Sequence, residues 1–286
     1  MKGIYNINKK METALRSLNN SDIPKKNKDN IKGFVNFLSS KGVTVGRQYK
    51  YVYPLKRISK WLGKDFTKAT KQDIQRICSN INSNPEYSAW TKMDYMVVIK
   101  KFYRWLYNKD IEDEDEWTIP VLVKFIKINK PKDAKKIPSD LLYAKDIKFL
   151  VDHCQRLREK AILMVLFESG ARIGEILSMC IKDVTFDDYG CQINVNGKTG
   201  YRKVRLVGSS PMLSQWINSE HPRKDDKEAF VFCNIQNGKE GTQMDYNTLR
   251  KIFVHLKKRS GFNKPLNFHH FRHSAATHLA AHLTDA

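Results

Sequence analysis

The sequence predicts a mainly α-helical protein with a small antiparallel β-sheet (α+β), divided into two domains. Three observations support this prediction. The 286 residues exceed the usual size of one domain. Apolar residues recur at helical spacing between residues 31 and 107. The period then changes to strand-like alternation between residues 184 and 207, before helical spacing returns towards residue 280.

The predicted organisation has four parts. Residues 1–30 form a polar, basic lead-in that we expect to be mobile or weakly helical. Residues 31–118 contain four helical patterns with short connections, typical of a compact all-α domain. Residues 119–138 combine prolines with charge runs and are predicted to be a linker. Residues 139–286 form the second domain, which contains the predicted sheet.

The composition narrows the class of partner. The net charge is +21, an excess that indicates nucleic acid or an anionic membrane surface. No apolar run approaches the ~20 residues of a spanning helix, and the first residues do not resemble a signal peptide. We therefore expect a cytoplasmic protein that does not act at a membrane. The five cysteines are scattered without a CxxC pair, which argues against a disulfide framework or a zinc ribbon.

The positive charge is concentrated in the first half of the chain. Residues 1–136 contain 29 basic and 14 acidic side chains, a net charge of +15. An ordinary solvated helix face mixes both signs, so this imbalance favours contact with the phosphates of double-stranded DNA. The predicted DNA-binding residues lie on the second helix, the fourth helix and the linker: Arg47, Lys50, Arg57, Lys60, Lys92, Lys100, Arg104, Lys135 and Lys136.

The central stretch of the second domain is a helix stop followed by a helix start. The apolar run 161–167 predicts a buried helix, and Gly170 can take the positive φ that ends it. Arg172 would then lie in the first turn of the next helix, where its planar fork suits an anion. An Arg172–Glu175 structural pair, three residues apart, explains the same residues equally well.

Two further groups of basic side chains follow. Lys198 lies in a Gly-bounded turn between two predicted strands. His269, Arg272 and His273 recur at helical spacing, so one face of the last helix presents two imidazoles and a guanidinium. No acidic residue accompanies the histidines at ligand spacing, and we predict no metal site.

These three groups together resemble the motifs of the tyrosine recombinase (phage integrase, Xer-like) family. The stretch from Glu168 to Glu175 resembles the box written TGxRxxE, Lys198 matches the hairpin lysine, and the stretch from His269 to His273 looks like the HxxRH box. The resemblance covers roughly residues 30 to 282. It implies a four-helix SAM-like core-binding domain followed by a catalytic domain.

The resemblance also implies roles. Such enzymes attack a DNA phosphodiester with a tyrosine, leaving a 3′-phosphotyrosine and a free 5′-hydroxyl. Arg172, Lys198, His269 and Arg272 would be catalytic, with Glu175 and His273 in support. No metal or nucleotide cofactor is expected. Double-stranded DNA and self-association into a tetramer on two DNA sites are the implied partners.

One family feature is missing. The nucleophilic tyrosine of the family lies well beyond the HxxR box, whereas the last tyrosine of this sequence, Tyr246, precedes it. The sequence thus predicts no nucleophile in this chain, and we expect the chain, read as truncated, to bind DNA without cleaving it. The main alternative is a non-catalytic short form that occupies and blocks recombination sites. A type IB topoisomerase-like nicking and closing enzyme is a third interpretation.

Overall fold

The computed structural model describes residues 3–131, 140–197, 200–236 and 238–280. The chain divides into two compact units. The helical unit comprises Ile7–Ala134, and a second unit combines Met1–Asn6 with Lys135–Ala286. The second unit is called the catalytic unit after the catalytic domain that the resemblance implies. The mainly α fold with one small antiparallel sheet is confirmed.

The part of the helical unit that the structure describes, up to residue 131, contains six α-helices: α1 (Ile7–Asn19), α2 (Lys25–Ser40), α3 (Val45–Leu62), α4 (Lys71–Ser83), α5 (Ala89–Asn108) and the short α6 (Val121–Lys124). The four helices expected from the sequence are α2 to α5. Their apolar faces meet in one core, where Phe34 and Phe102 pack edge to face with ring centroids 5.5 Å apart. The cap of α4 forms as its spacing predicts, with Asp73 N–H donating to Thr70 Oγ1.

The lead-in differs from the expectation of a mobile or weakly helical segment. Residues Ile7–Asn19 form α1, in which Met11, Ala14 and Leu18 recur at helical spacing and are buried in the core of the helical unit. Burial of this apolar stripe against α3 outweighs the polar character of the segment. Ile4, just before α1, is buried instead in the core of the catalytic unit, where its carbonyl accepts a hydrogen bond from Tyr246 N–H.

The expected linker is also shorter than the pattern of residues 119–138 suggests. Leu122, Val123 and Ile126 are buried in the core of the helical unit, so the first part of this segment belongs to that unit. The expected phosphate contacts Lys135 and Lys136 lie outside the described residues.

Among the described residues of the catalytic unit there are six α-helices and one sheet. The helices are α7 (Ala144–Asp152), α8 (Leu157–Ser169), α9 (Ile173–Ser178), α10 (Ser210–Gln215), α11 (Tyr246–Ser260) and α12 (Phe268–Ala280). The strands are β1 (Val184–Asp187), β2 (Gly190–Gly197) and β3 (Gly200–Leu206), paired antiparallel in the order β1-β2-β3. Outside the sheet, an isolated bridge joins Phe230 and Cys180.

One face of the sheet is buried. Cys191, Ile193 and Val195 of β2 point into the core together with Leu206 of β3, while the intervening residues face outwards. The apolar helix α8 runs through the same core and contacts α7, α10, α12 and β3. The candidate site described below lies where α8 ends.

Candidate phosphate-binding site

Gly170 ends α8 in the left-handed conformation that the sequence predicts, with φ of +54°. The absence of a side chain matters there for a second reason. A Cβ on Gly170 would lie 3.0 Å from the Cβ of Ala275, so α12 approaches the end of α8 closely. This approach places Arg272, one turn before Ala275, beside the helix end, and its Nη1 donates to the Gly170 carbonyl at 2.8 Å.

Arg172 is the residue that caps α9 rather than a member of its first turn. Its backbone N–H donates to Glu175 Oε2 at 2.9 Å, and its guanidinium Nη1 lies 3.0 Å from Glu175 Oε1. The structural pair considered from the sequence therefore exists. However, 42% of the Arg172 side chain remains exposed, whereas Glu175 is only 1% exposed. The pair fixes Arg172 and leaves part of its guanidinium accessible to a ligand.

A third arginine joins this arrangement from the sheet. Arg202 of β3 donates from Nη2 to Glu175 Oε2 at 2.8 Å, so one buried carboxylate binds two guanidiniums. Burial opposes ionisation of Glu175, but hydrogen bonds from Arg202 and Arg172 outweigh it and lower the pKa of the carboxyl to about 2. Glu175 is thus a stable anion at neutral pH.

The hairpin backbone approaches the same carboxylate. A Cβ built on Gly197, the last residue of β2, would lie 2.0 Å from Glu175 Oε1. No side chain can occupy that space, so this position requires glycine for packing. Glu175 therefore contacts both strands of the β2–β3 hairpin, through Arg202 on one and Gly197 on the other.

The three guanidiniums surround one cavity of about 370 Å³ at the end of α8. Arg172, Arg202 and Arg272 all line it, and small side chains of α12 such as Ala275 and Ala276 leave it open. The site carries a net positive charge, because three permanently charged guanidinium groups line the cavity and only one buried carboxylate, Glu175, pairs with them. Such a site suits a tetrahedral anion such as a phosphodiester.

The end of α8 is fixed to β3 by a carboxylate. Glu168 accepts hydrogen bonds from the N–H groups of Val207, Gly208 and Ser209 at 2.7, 3.0 and 2.8 Å. Burial opposes ionisation of Glu168, but the Ser209 hydroxyl and these N–H groups outweigh it and lower the pKa of the carboxyl. This contact holds the exit of β3 beside the cavity.

The other expected site residues do not line this cavity or lie outside the described residues. His269 is exposed on α12, one turn before Arg272, and does not belong to the cavity lining of the described chain. His273 is exposed on the same helix. Lys198 lies outside the described residues, between Gly197 and Gly200 at the ends of β2 and β3.

The expected DNA-binding residues of the helical unit fall into two groups. Arg47, Lys50 and Lys60 are exposed on α3, and the first two line a groove of about 790 Å³ with Tyr49 and Tyr53. The other four donate hydrogen bonds within the unit: Arg57 to the Tyr87 and Tyr95 hydroxyls, and Lys92, Lys100 and Arg104 to main-chain carbonyls. Arg47, Lys50 and Lys60 make none of these hydrogen bonds.

The described residues contain no helix with the length and apolar character needed to cross a bilayer. Within the same described ranges, no three His, Cys, Asp or Glu side chains are grouped so that they could hold a metal ion.

Residues 140–286 match the family model described as the phage integrase family. The chain belongs to this family. Related tyrosine recombinases include XerD of Yersinia pestis, 26% identical over 77% of this chain and 72% of that protein. XerC of Rickettsia peacockii (strain Rustic) is 25% identical over 88% of this chain and 74% of that protein.

Transposase A from transposon Tn554 of Staphylococcus aureus is a third relative of this chain. It is 29% identical over 51% of this chain, and the match spans only 42% of the transposase. Solved structures share the fold. XerH bound to a palindromic difH substrate has a TM-score of 0.65 at 20% identity, over 98% of this chain and 80% of that one. A lambda integrase dimer bound to a COC′ core site has a TM-score of 0.66 at 13% identity, over 90% and 87%.

Sequence reasoning missed Arg202 in this site, although a signal was present. Arg202, Val204 and Leu206 alternate along β3, and Leu206 is fully buried. A cation on the inward face of a strand needs a buried anion as partner, and Glu175 is such an anion.

Proposed function

We propose that the protein is a site-specific DNA recombinase or integrase that breaks and reseals DNA strands through a 3′-phosphotyrosine intermediate. One observation carries this proposal: Arg172 and Arg272, from different helices, line one cavity in front of the buried Glu175. The scissile phosphate would occupy that cavity.

The two arginines would act on the transition state. Attack on a phosphodiester gives a phosphorane with additional negative charge on its non-bridging oxygens. Guanidiniums already held by Glu175 and by the Gly170 carbonyl can stabilise this charge without reorganising. A residue of this kind contributes about 100- to 1,000-fold to the rate.

Lys198 and His269 would complete the chemistry. A tyrosine oxygen forms a bond to phosphorus while the bond from phosphorus to the 5′-oxygen breaks. Lys198 would give the proton that makes this leaving oxygen a hydroxyl, and His269 would donate to a non-bridging oxygen or assist proton transfer. Glu175 and His273 would be support residues. The phosphotyrosine retains the bond energy for resealing, so the proposed mechanism uses neither a nucleotide nor a metal.

None of the residues assigned above is the nucleophile. No tyrosine follows Arg272 in the sequence, and the described lining of the cavity includes none. We therefore propose that this chain binds DNA and activates the phosphodiester, and that it does not cleave DNA by itself. Self-association into a tetramer on two DNA sites would accompany recombination.

In the helical unit, Arg47, Lys50 and Lys60 are proposed to contact the DNA backbone, together with Lys135 and Lys136 further along the chain. Arg57, Lys92, Lys100 and Arg104 remain candidates, and their hydrogen bonds within the unit would have to be exchanged for phosphate contacts. The charge of +15 in residues 1–136 supports this assignment.

An external nucleophile tests the proposal with this chain. Duplexes that bind are first selected from a randomised pool, and the chosen duplex is then treated with hydrogen peroxide, whose anion can replace the tyrosine. Hydroperoxide forms a bond to phosphorus and the bond to the 5′-oxygen breaks, releasing a 5′-hydroxyl end. We expect cleavage at one position, and a loss of about 100-fold or more in Arg172→Ala and Arg272→Ala with binding retained.

The main alternative, a DNA-binding protein that blocks recombination sites, predicts a different result. It has no need of an activated phosphodiester. Site-specific binding without hydroperoxide cleavage would favour that alternative, and cleavage that persists in Arg172→Ala would contradict the role of Arg172.

A further inference from the structure

Arg202 is the third guanidinium of the cavity, and the proposed mechanism gives it no role. Its Nη2 lies 2.8 Å from Glu175 Oε2, and 34% of its side chain is exposed. It is carried by β3, whereas Arg172 is carried by the start of α9. Glu175 thus joins a strand to a helix through two different arginines.

The position of Arg202 along the hairpin is informative. Arg202 pairs with Val195 across the ladder, and Gly197 pairs with Gly200 at the end of the hairpin. Both Arg202 and Gly197 contact Glu175, from opposite strands. The Glu175 carboxylate therefore holds both strands close to the end of the hairpin. Lys198 directly follows Gly197 in the sequence.

Arg202 also changes the environment of Arg172. A carboxylate and a guanidinium can pair through two parallel hydrogen bonds. Here Glu175 Oε2 is already bound by Arg202 and by the Arg172 backbone, so the Arg172 guanidinium contacts only Oε1. If Arg202 were removed, Arg172 could turn further towards Glu175 and away from the cavity.

We infer that Arg202 is a positioning residue: through Glu175 it ties the β2–β3 hairpin to α9 and keeps Arg172 directed at the cavity. The contribution to catalysis rests on the proposed function, because it acts through Lys198 and Arg172. The mechanical part, anchoring of the hairpin, does not depend on that function.

The chain offers a matched control. Arg205 lies on the same strand three residues later and therefore faces the other side of the sheet. It pairs with Asp187 of β1, with Nη1 2.5 Å from Oδ2. Arg205→Met thus removes an arginine–carboxylate pair from the same strand, away from the cavity. The test compares it with Arg202→Met and Arg202→Lys in the otherwise unchanged chain.

Hydrogen exchange tests whether Arg202 anchors the β2–β3 hairpin, and the measurement requires no DNA cleavage. We expect faster exchange of the amides of residues 193–204 in Arg202→Met, with the exchange of α8 unchanged. Arg202→Lys, which keeps one donor, should restore part of the protection. In Arg205→Met we expect the effect to be confined to the β1 side of the sheet. Equal exchange of residues 193–204 in Arg202→Met and the unchanged chain would overturn the inference.

Cleavage by hydroperoxide tests the positioning of Lys198. Two duplexes are compared: the ordinary one, and one with sulfur in place of the scissile 5′-oxygen, whose thiolate leaves without a proton. For Arg202→Met we expect a loss of about 100-fold or more on the ordinary duplex, and a smaller loss on the sulfur duplex, where the general acid is not needed and only the effect on Arg172 remains. Equal losses on both duplexes would contradict action through Lys198.

DNA binding distinguishes positioning from phosphate contact. A side chain that binds a phosphate adds about 1 to the slope of log K against log salt concentration. We expect Arg202→Met to leave this slope unchanged, and a slope reduced by about 1 would assign Arg202 to the phosphate instead. If the unchanged chain binds DNA but does not cleave with hydroperoxide, the proposed function fails, whereas the exchange result still decides the anchor.

Discussion

Replacement of Glu175 by glutamine tests the electrostatic basis of the site. The carboxyl has a pKa of about 2 in the folded chain against an ordinary value of 4.5, so ionised Glu175 stabilises the catalytic unit. At about 1.4 kcal/mol per pKa unit, the stabilisation is about 3 kcal/mol at neutral pH. Because the unfolded chain binds the proton more tightly, this stabilisation is complete above pH 4.5 and is lost as the pH falls towards 2.

We expect Glu175→Gln to lower the free energy of unfolding of the catalytic unit by about 3 kcal/mol near pH 6, and by only about 1 kcal/mol near pH 3. The amide retains the shape of the side chain but leaves Arg172 and Arg202 without an anion. Hydrogen exchange measured on peptides of α8 and β2 reports this unit separately from the helical unit. The pH is varied at constant ionic strength.

Glu228→Gln serves as the control, because Glu228 is an exposed partner of Lys182. Such surface pairs contribute at most about 1 kcal/mol. A Glu175→Gln effect that is the same at pH 3 and pH 6, or no larger than that of the control, would refute the electrostatic reasoning.

Three other predictions concern separate parts of the chain. Gly197→Ala should destabilise the catalytic unit by about 2 kcal/mol and abolish hydroperoxide cleavage, because its Cβ meets Glu175. Gly208→Ala is the control, because a Cβ there would make only ordinary contacts with Glu168 at 3.9 Å or more, and equal effects of the two substitutions on cleavage would contradict this reasoning. Ile4→Ala should destabilise the catalytic unit by about 2 kcal/mol or more, measured by hydrogen exchange of α11; an effect confined to the helical unit would be inconsistent. Replacing both Arg47 and Lys50 by alanine should lower the salt slope of DNA binding by about 2, and an unchanged slope would exclude them from the interface.

Several local features of the fold follow from residue chemistry alone. Helices α2 to α5 account for the apolar periodicity between residues 31 and 107, because this periodicity is encoded within each segment, although α2 begins earlier, at Lys25. The helix stop at Gly170 and the cap formed by Thr70 and Asp73 are equally local. The prediction for the lead-in was wrong because an apolar stripe with a low mean hydropathy forms a helix only when a neighbouring helix covers it.

The sequence by itself determined which residues are chemically suited to a phosphate: Arg172, Arg272 and the small side chains that let α12 approach Gly170. It left the choice between a structural pair and an anion site at Arg172 open. Only the tertiary structure decided that the two are compatible, because a carboxylate buried between α9 and the hairpin binds one part of the guanidinium and leaves the rest exposed. It also added Arg202, whose partner lies 27 residues earlier, a pairing that depends on the register of the sheet rather than on local sequence.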